Sequence, residues 1–316
     1  MIQNNSRQSL RRSKKHRGRR ICIGIAAVVS GLGLIGSLVL AHLTVHGKRQ
    51  TLTEAKQWQA DHYDISWFDR IETQTYEVVT EDGYRLHAQL CLNPQPTERY
   101  VILSHGYTDN RFGSLKYMKQ YMDLGYHCII YDLRGHGENE PTFCTYGIRE
   151  GRDIATMVAD ARQRFPQLTE LGLHGESLGA ASSIYSLRFG PQVDFVVADC
   201  GFADIESVLS NGYRQAGLPG WLTRFGSFGS RLLYGYSFSR MRPIDSLAGN
   251  KTPILFIHGE ADRFILPEHS RRMSEAAEGF HQLVLVNGAD HAASVLSDPD
   301  HYRELLQHFL QEAVGR

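Results

Sequence analysis

The sequence predicts a doubly wound α/β domain with a mostly parallel sheet, carrying a small helical cap and preceded by one N-terminal transmembrane helix. Three observations predict it. From residue 100 onward, short apolar runs bounded by turn residues alternate with longer stretches of helical spacing. Those runs are apolar at nearly every position, as strands covered on both faces must be. Ahead of them stands one segment without Asp, Glu, Lys or Arg that is long enough to cross a bilayer.

That segment is 21–45, ICIGIAAVVSGLGLIGSLVLAHLTV. As a helix, 21–41 alone rises about 31 Å. Residues 1–20 carry eight Lys or Arg and no acid, so they form a basic tail. The positive-inside rule keeps such a tail in the cytoplasm and exports everything after Val45. The alternative is a signal peptide cleaved after Ala41, which would give a secreted protein. Gly31 to Gly36 match the G-x-G-x-x-G of dinucleotide sites, but within an apolar span the match lacks its strand and its acid. The small residues Ala27, Gly31, Gly33 and Ser37 suit close packing of two helices, with dimerisation as one use.

Residues 46–70 are polar with scattered aromatics and read as a linker or connecting helix. The α/β domain then runs over 71–316. Two alternating runs, 75–80 and 84–92, flank Glu81-Asp82-Gly83 and predict a hairpin. Strands follow at 100–104, 127–132, 168–174, 194–199, 253–258 and 281–286. Helices are expected at 114–124, 148–165, 178–189, 267–277 and 299–314. The alternation breaks between Asp199 and Pro253, where Gly and aromatics abound. A stretch this long inside a compact domain reads as an insertion, taken as a helical cap over about 203–245.

Composition narrows the function. Charged residues are 22% and the formal net charge is zero, but without the basic tail the remainder is mildly acidic. That does not suggest nucleic-acid binding. Of the five cysteines, Cys91, Cys128 and Cys200 lie in or beside strand-like runs and are expected as buried thiols. No Cys or His spacing resembles a metal site.

In such a sheet, ligands bind at the carboxyl ends of the strands. Ser177, in Gly175-Glu-Ser-Leu-Gly179, falls between a strand and a helix, where a sharp turn would expose its oxygen. A serine hydroxyl needs a base, and the base needs an orienting carboxylate. His291 follows the last strand and Asp262 the one before it, in the order Ser, Asp, His that this architecture requires. Asp199 and Asp290 are alternative acids, with Asp199 the first substitute. The backbone N–H groups of Leu178 and Tyr107 are the expected oxyanion donors. His105 is assigned a packing role beneath that loop.

Together, His105-Gly106, Tyr131-Asp-Leu-Arg-Gly-His-Gly137, the Ser177 turn and the Asp262 and His291 contexts resemble the α/β-hydrolase superfamily. The closest likeness is to its serine-aminopeptidase-like branch of bacterial esterases and exported hydrolases. The resemblance covers roughly Ile71 to the C-terminus. It implies a serine hydrolase without metal or cofactor, and structural roles for Asp132, Arg134 and His136. The expected substrate is a small-molecule or lipid-like acyl compound, with an ester or thioester as the bond cleaved. An exported peptidase and a catalytically idle membrane-tethered binding protein are the competing readings. The sequence leaves the oligomeric state open.

Overall fold

The computed structural model describes residues 2–315, with side chains from residue 22 onward, so the basic side chains of the tail lie outside the described ones. In chain order the elements begin with α1 (Ile2–Val45), α2 (Leu52–His62), β1 (Thr73–Val79), β2 (Arg85–Cys91), β3 (Arg99–Ser104) and α3 (Leu115–Asp123). Next come β4 (His127–Tyr131), α4 (Ile148–Arg164), β5 (Glu170–Glu176), α5 (Leu178–Ser186), β6 (Phe195–Asp199), α6 (Ile205–Gln215) and α7 (Leu222–Tyr234). The chain ends with β7 (Ile254–Gly259), α8 (Glu268–Ala276), β8 (His281–Val286), α9 (Ser294–Ser297) and α10 (Pro299–Val314). Each predicted strand is present within two residues of its expected bounds.

The eight strands form one sheet in the order β1-β2-β4-β3-β5-β6-β7-β8. β1 and β2 are antiparallel, and β2 is antiparallel to β4. The remaining pairs are parallel. Gly83, at φ +79°, makes the turn of the opening hairpin, where Thr80 N–H donates to the Tyr84 carbonyl at 2.8 Å. From β3 the chain crosses to β4 on one side, then returns to place β5 on the other. This reversal makes the carboxyl ends of β3 and β5 the place where an open α/β sheet holds a ligand.

Alternate residues of the central strands feed opposite faces. Val101, Leu103, Cys128, Ile130, Val197 and Leu255 pack with Tyr117, Tyr121, Leu306 and Phe309 from α3 and α10. Phe195 stacks parallel to Tyr121 and meets Tyr126 and Phe309 edge-on, and a Cβ at Gly172 would strike its ring. Truncating so enclosed a ring costs about 3–5 kcal/mol. Cys91 and Cys128 stand opposite each other across β2 and β4 and remain buried thiols, as do Cys144 and Cys200.

The chain divides into two compact units. Residues 45–223 and 238–316 carry the sheet; residues 2–44 and 224–237 form a helical pair. Residues 46–70, expected as a connecting helix or linker, contain α2 and belong to the unit that carries the sheet. α2 is started by a reciprocal capping box between Thr51 and Glu54. Gln50 N–H donates to the Thr108 carbonyl at 2.8 Å, and Asn110 Nδ2 donates to the Gln50 and Thr51 carbonyls at 3.3 and 3.1 Å. Polar composition alone gives no sign of such docking, because the partners lie some sixty positions away in the chain.

The insertion expected as one cap is likewise split. α6, capped by Asp204 through Ser207 N–H, buries Ile205 and Val208 within the sheet-bearing unit. α7 pairs with α1. Its Gly229 approaches so closely that a Cβ would collide with the Ser37 carbonyl, and Ser37 Oγ donates to the Phe225 carbonyl at 2.5 Å. Of the small residues singled out in the apolar span, Gly33 and Ser37 thus have a partner within the same chain, whereas Ala27 is exposed and a Cβ on Gly31 would meet none of the described residues. Cys22–Val45 is, among the described residues, the one helix long and apolar enough to cross a membrane.

Candidate active site

Ser177 joins β5 to α5 at φ +52° and ψ −109°, a conformation that costs a non-glycine residue about 1–3 kcal/mol. Its neighbours hold it there. Ser177 N–H donates to the Asp199 carbonyl at 2.8 Å, and its own carbonyl accepts the first helical bond from Ala181 at 3.0 Å. A Cβ at Gly175 would collide with the Gly179 backbone, and one at Gly179 with the Ser104 carbonyl. The two glycines let strand and helix close to backbone contact, which forces the side chain between them outward.

His291, just past β8, turns back over this point. Its Nε2 lies 3.1 Å from Ser177 Oγ, and its Nδ1 lies 2.7 Å from Asp262 Oδ2. The carboxylate selects the tautomer: Nδ1–H donates to Asp262, leaving the Nε2 lone pair facing the hydroxyl. Phe264 meets the imidazole edge-on, at 5.1 Å between ring centres. The structure therefore brings together Ser177, Asp262 and His291, three residues that the sequence separates by up to 114 positions.

Asp262 is fully enclosed. It accepts from Phe264 N–H and Ile265 N–H at 2.9 Å each, from His291, and from His258 Nε2 at 3.2 Å. Burial pushes its pKa up, but the hydrogen bonds from His258 and His291 outweigh that and hold it down at about 2. Asp199, the first alternative acid, faces elsewhere. It accepts from Ser294 and Tyr302 hydroxyls at 3.2 and 3.0 Å. Asp290 accepts the His291 backbone N–H at 2.8 Å, while the imidazole Nδ1 is bound by Asp262.

Tyr107 and Leu178 line the same cavity as Ser177. Leu178 opens α5, where a helix N–H has no intrahelical partner. The Tyr107 loop is fixed from three sides: its carbonyl accepts from His136 Nε2 at 2.6 Å, its hydroxyl from Gly47 N–H at 2.8 Å, and its ring stacks on Tyr146. His105 lies below, donating through Nδ1 to the Gly106 carbonyl and accepting Leu133 N–H at 2.9 Å through Nε2. Burial drives its pKa well below the usual histidine value, so it stays neutral. Asp132 binds Arg111, and Arg134 bridges Asp82 and Asp153; with His136, which contacts the Arg134 carbonyl, Asp132 and Arg134 organise the loop after β4.

Several functional neighbours carry no sequence signal of their own. His258 donates to Asp262 only because β7 and the following turn fold together. Lys116 on α3 is buried and reaches both Glu176 Oε2 at 2.5 Å and the Ala292 carbonyl at 3.1 Å. It therefore ties the residue before Ser177 to the residue after His291. Burial opposes its charge, yet Glu176 holds the ammonium above its ordinary pKa. Tyr117 hydroxyl donates to the same Glu176 oxygen at 2.8 Å. The cavity itself, about 200 Å³, is lined by Tyr107, Tyr146, Phe202, Val208, Tyr213 and Phe264 among others.

Comparison with known proteins bears on the fold and the family. Over 298 residues the chain is 29% identical to the uncharacterised protein YqkD of Bacillus subtilis, covering 92% of this chain and 97% of that one. In fold it is similar to the esterase Pf2001 of Pyrococcus furiosus, with a TM-score of 0.65 and 24% identity over 77% of this chain and 92% of that one. It is also similar to the acylaminoacyl peptidase of Pyrococcus horikoshii, with a TM-score of 0.59 and 15% identity over 76% of this chain and 41% of the other. The model of the prolyl oligopeptidase family matches residues 113–316, which is more than half of the sequence. The chain thus belongs to the prolyl oligopeptidase family and is a serine hydrolase of the α/β-hydrolase fold.

Proposed function

We propose that the protein hydrolyses esters or thioesters of small apolar acyl groups through an acyl-enzyme on Ser177. The observation that carries this reading is the cavity at Ser177, whose lining includes no charged side chain. Its volume, about 200 Å³, is below the roughly 300–1,000 Å³ that holds drug-sized ligands, which suits one acyl arm.

In this mechanism Ser177 Oγ attacks the acyl carbonyl as His291 Nε2 takes its proton. Asp262, ionised at any working pH, orients the imidazole and stabilises its charged form. The N–H groups of Leu178 and Tyr107 stabilise the oxyanion. The imidazolium returns its proton to the leaving oxygen or sulfur. A water, deprotonated by His291, then attacks the acyl-serine and frees the acid. Ser177→Ala is expected to abolish turnover of p-nitrophenyl butyrate and labelling by a fluorophosphonate. Retained turnover overturns the nucleophile.

The family match favours a second reading, a peptidase. An aminopeptidase needs an acid to hold the substrate amine. Asp204, a candidate in the insertion, is engaged with Ser207 N–H and Arg272. Parallel assays on p-nitrophenyl esters and aminoacyl p-nitroanilides separate the two; amide rates equal to ester rates would favour the peptidase.

We also read α1 as an uncleaved anchor. Cys22–Val45 rises about 36 Å, enough for a bilayer core. The catalytic unit then lies outside the cytoplasm. Digestion of this unit by protease in inside-out but not right-side-out vesicles would reverse that topology.

A further inference from the structure

α7 has unlike sides. One lies along α1. The Phe225 ring sits 3.8 and 3.5 Å from where Cβ atoms on Gly33 and Gly36 would be, Gly229 meets Ser37, and Tyr234 hydroxyl is 2.8 Å from His42 Nδ1. These contacts run along about 14 Å of α1. They lie in the half of the span nearer Val45. Small residues at a close helix crossing are how helices associate in lipid, where burying apolar surface gives no advantage.

Beside that contact part of the α7 surface is open, while Thr223, Ser227 and Ser230 on its remaining face are buried. Phe228, Leu232 and Leu233 are 53%, 56% and 48% exposed. Beside them on α1, Ile35, Val39 and Leu43 are 59%, 51% and 65% exposed. Two paired helices thus present apolar side chains outward together, which water-soluble surfaces avoid. Arg231, on the half of α7 toward Tyr234, is also exposed. Long basic side chains at the edge of an apolar helix face reach toward lipid phosphates. α7 is itself a helix of 13 residues, so its backbone polar groups are largely satisfied internally and it can enter lipid.

We propose that α7 is a second membrane-embedded element, set in the same leaflet as the Val45-side half of α1. It would bind acyl chains through Phe228, Leu232 and Leu233 and an anionic headgroup through Arg231, which lies toward the Val45 end. The proposal rests on α1 spanning the bilayer. Its occupant is the lipid already surrounding α1, because α7 is packed along that helix.

The test uses the full chain with Cys22→Ser, reconstituted in phosphatidylcholine–phosphatidylglycerol vesicles. The remaining cysteines are buried and do not label. Phe228→Cys, Leu232→Cys, Val39→Cys and Lys251→Cys each receive an environment-sensitive fluorophore. Labels at 228, 232 and 39 are expected to be quenched by doxyl lipids and protected from aqueous iodide about fivefold or more relative to 251, as for side chains some 5–10 Å into the headgroup boundary. If 39 is protected but 228 and 232 are quenched by iodide, α7 lies in water and the proposal fails while the anchor stands. If 39 is also quenched by iodide, the spanning reading fails and takes the proposal with it. Protection of 228 and 232 from both quenchers, with label self-quenching, would replace lipid by a second copy of the chain and overturn it.

Discussion

Asp199 and Asp262 stand at the carboxyl ends of neighbouring strands, β6 and β7, and both are buried. Their chemistry diverges nonetheless. Asp262 receives two backbone N–H groups and two imidazoles, and its pKa sits at about 2. Asp199 receives two hydroxyls and lies near the Glu176 carboxylate; burial and that charge push its pKa up to about 6. Burial is common to both, so the donors around each acid decide which one is a ready anion. Of the two, Asp262 is the one that hydrogen-bonds the His291 imidazole.

Exchanging the carboxylates for amides is the most direct way to break this contrast. Asp262→Asn is expected to lower kcat for p-nitrophenyl esters by about 10³–10⁴-fold, because an amide no longer fixes the imidazole tautomer. Asp199→Asn should leave kcat within about tenfold. Equal losses would mean that Asp199 also acts on the imidazole.

Lys116 separates the two regions by its grip on Glu176. Lys116→Met leaves that carboxylate buried without its cation and is expected to cost about 3–5 kcal/mol in urea unfolding. The double variant with Glu176→Gln should recover most of the loss. If Lys116 positions the site, the folded single variant loses kcat with KM unchanged, because Lys116 also holds the Ala292 carbonyl. A change confined to stability would reduce Lys116 to a packing role.

Asp199 also predicts a pH signature. Its folded pKa, about 6, lies above the ordinary 3.8, so the folded state binds the proton more tightly. The stability tied to that proton is present below pH 4 and is lost as pH rises through 6, by about 3 kcal/mol in all. Asp199→Asn should therefore gain on the wild type between pH 4 and 8, read from paired unfolding curves. A constant difference across that range would refute the raised pKa. The smallest expected effect belongs to His258→Phe, which removes one of four donors to Asp262, an Nε2–H shared with the Ile265 carbonyl at 2.7 Å. It should slow turnover by about tenfold, the worth of one hydrogen bond to a charged group.

Much of this was legible in the sequence. Gly175 and Gly179 around Ser177 require a close strand-to-helix turn, and that turn is present with its positive φ. Turn residues delimit the strands well because β3, β4, β6 and β7 are apolar at nearly every position and β1 and β2 alternate. Two segments were read less well. Residues 46–70 look like a linker until Asn110 is seen holding the Gln50 and Thr51 carbonyls. The 203–245 insertion reads as one cap, yet α6 and α7 have different partners. In both, the deciding contacts are to residues far away in the chain, which local pattern does not encode.

Strand and helix periodicity, the order of Ser177, Asp262 and His291, and one uncharged apolar span were set by the sequence itself, since each depends on side-chain type at short spacing. The tertiary structure alone chose Asp262 over Asp199, joined Lys116 to both Glu176 and Ala292, and paired α7 with α1. Those outcomes depend on how many donors converge on a buried group and on which surfaces fit at van der Waals distance. Such quantities exist only once distant segments share one space.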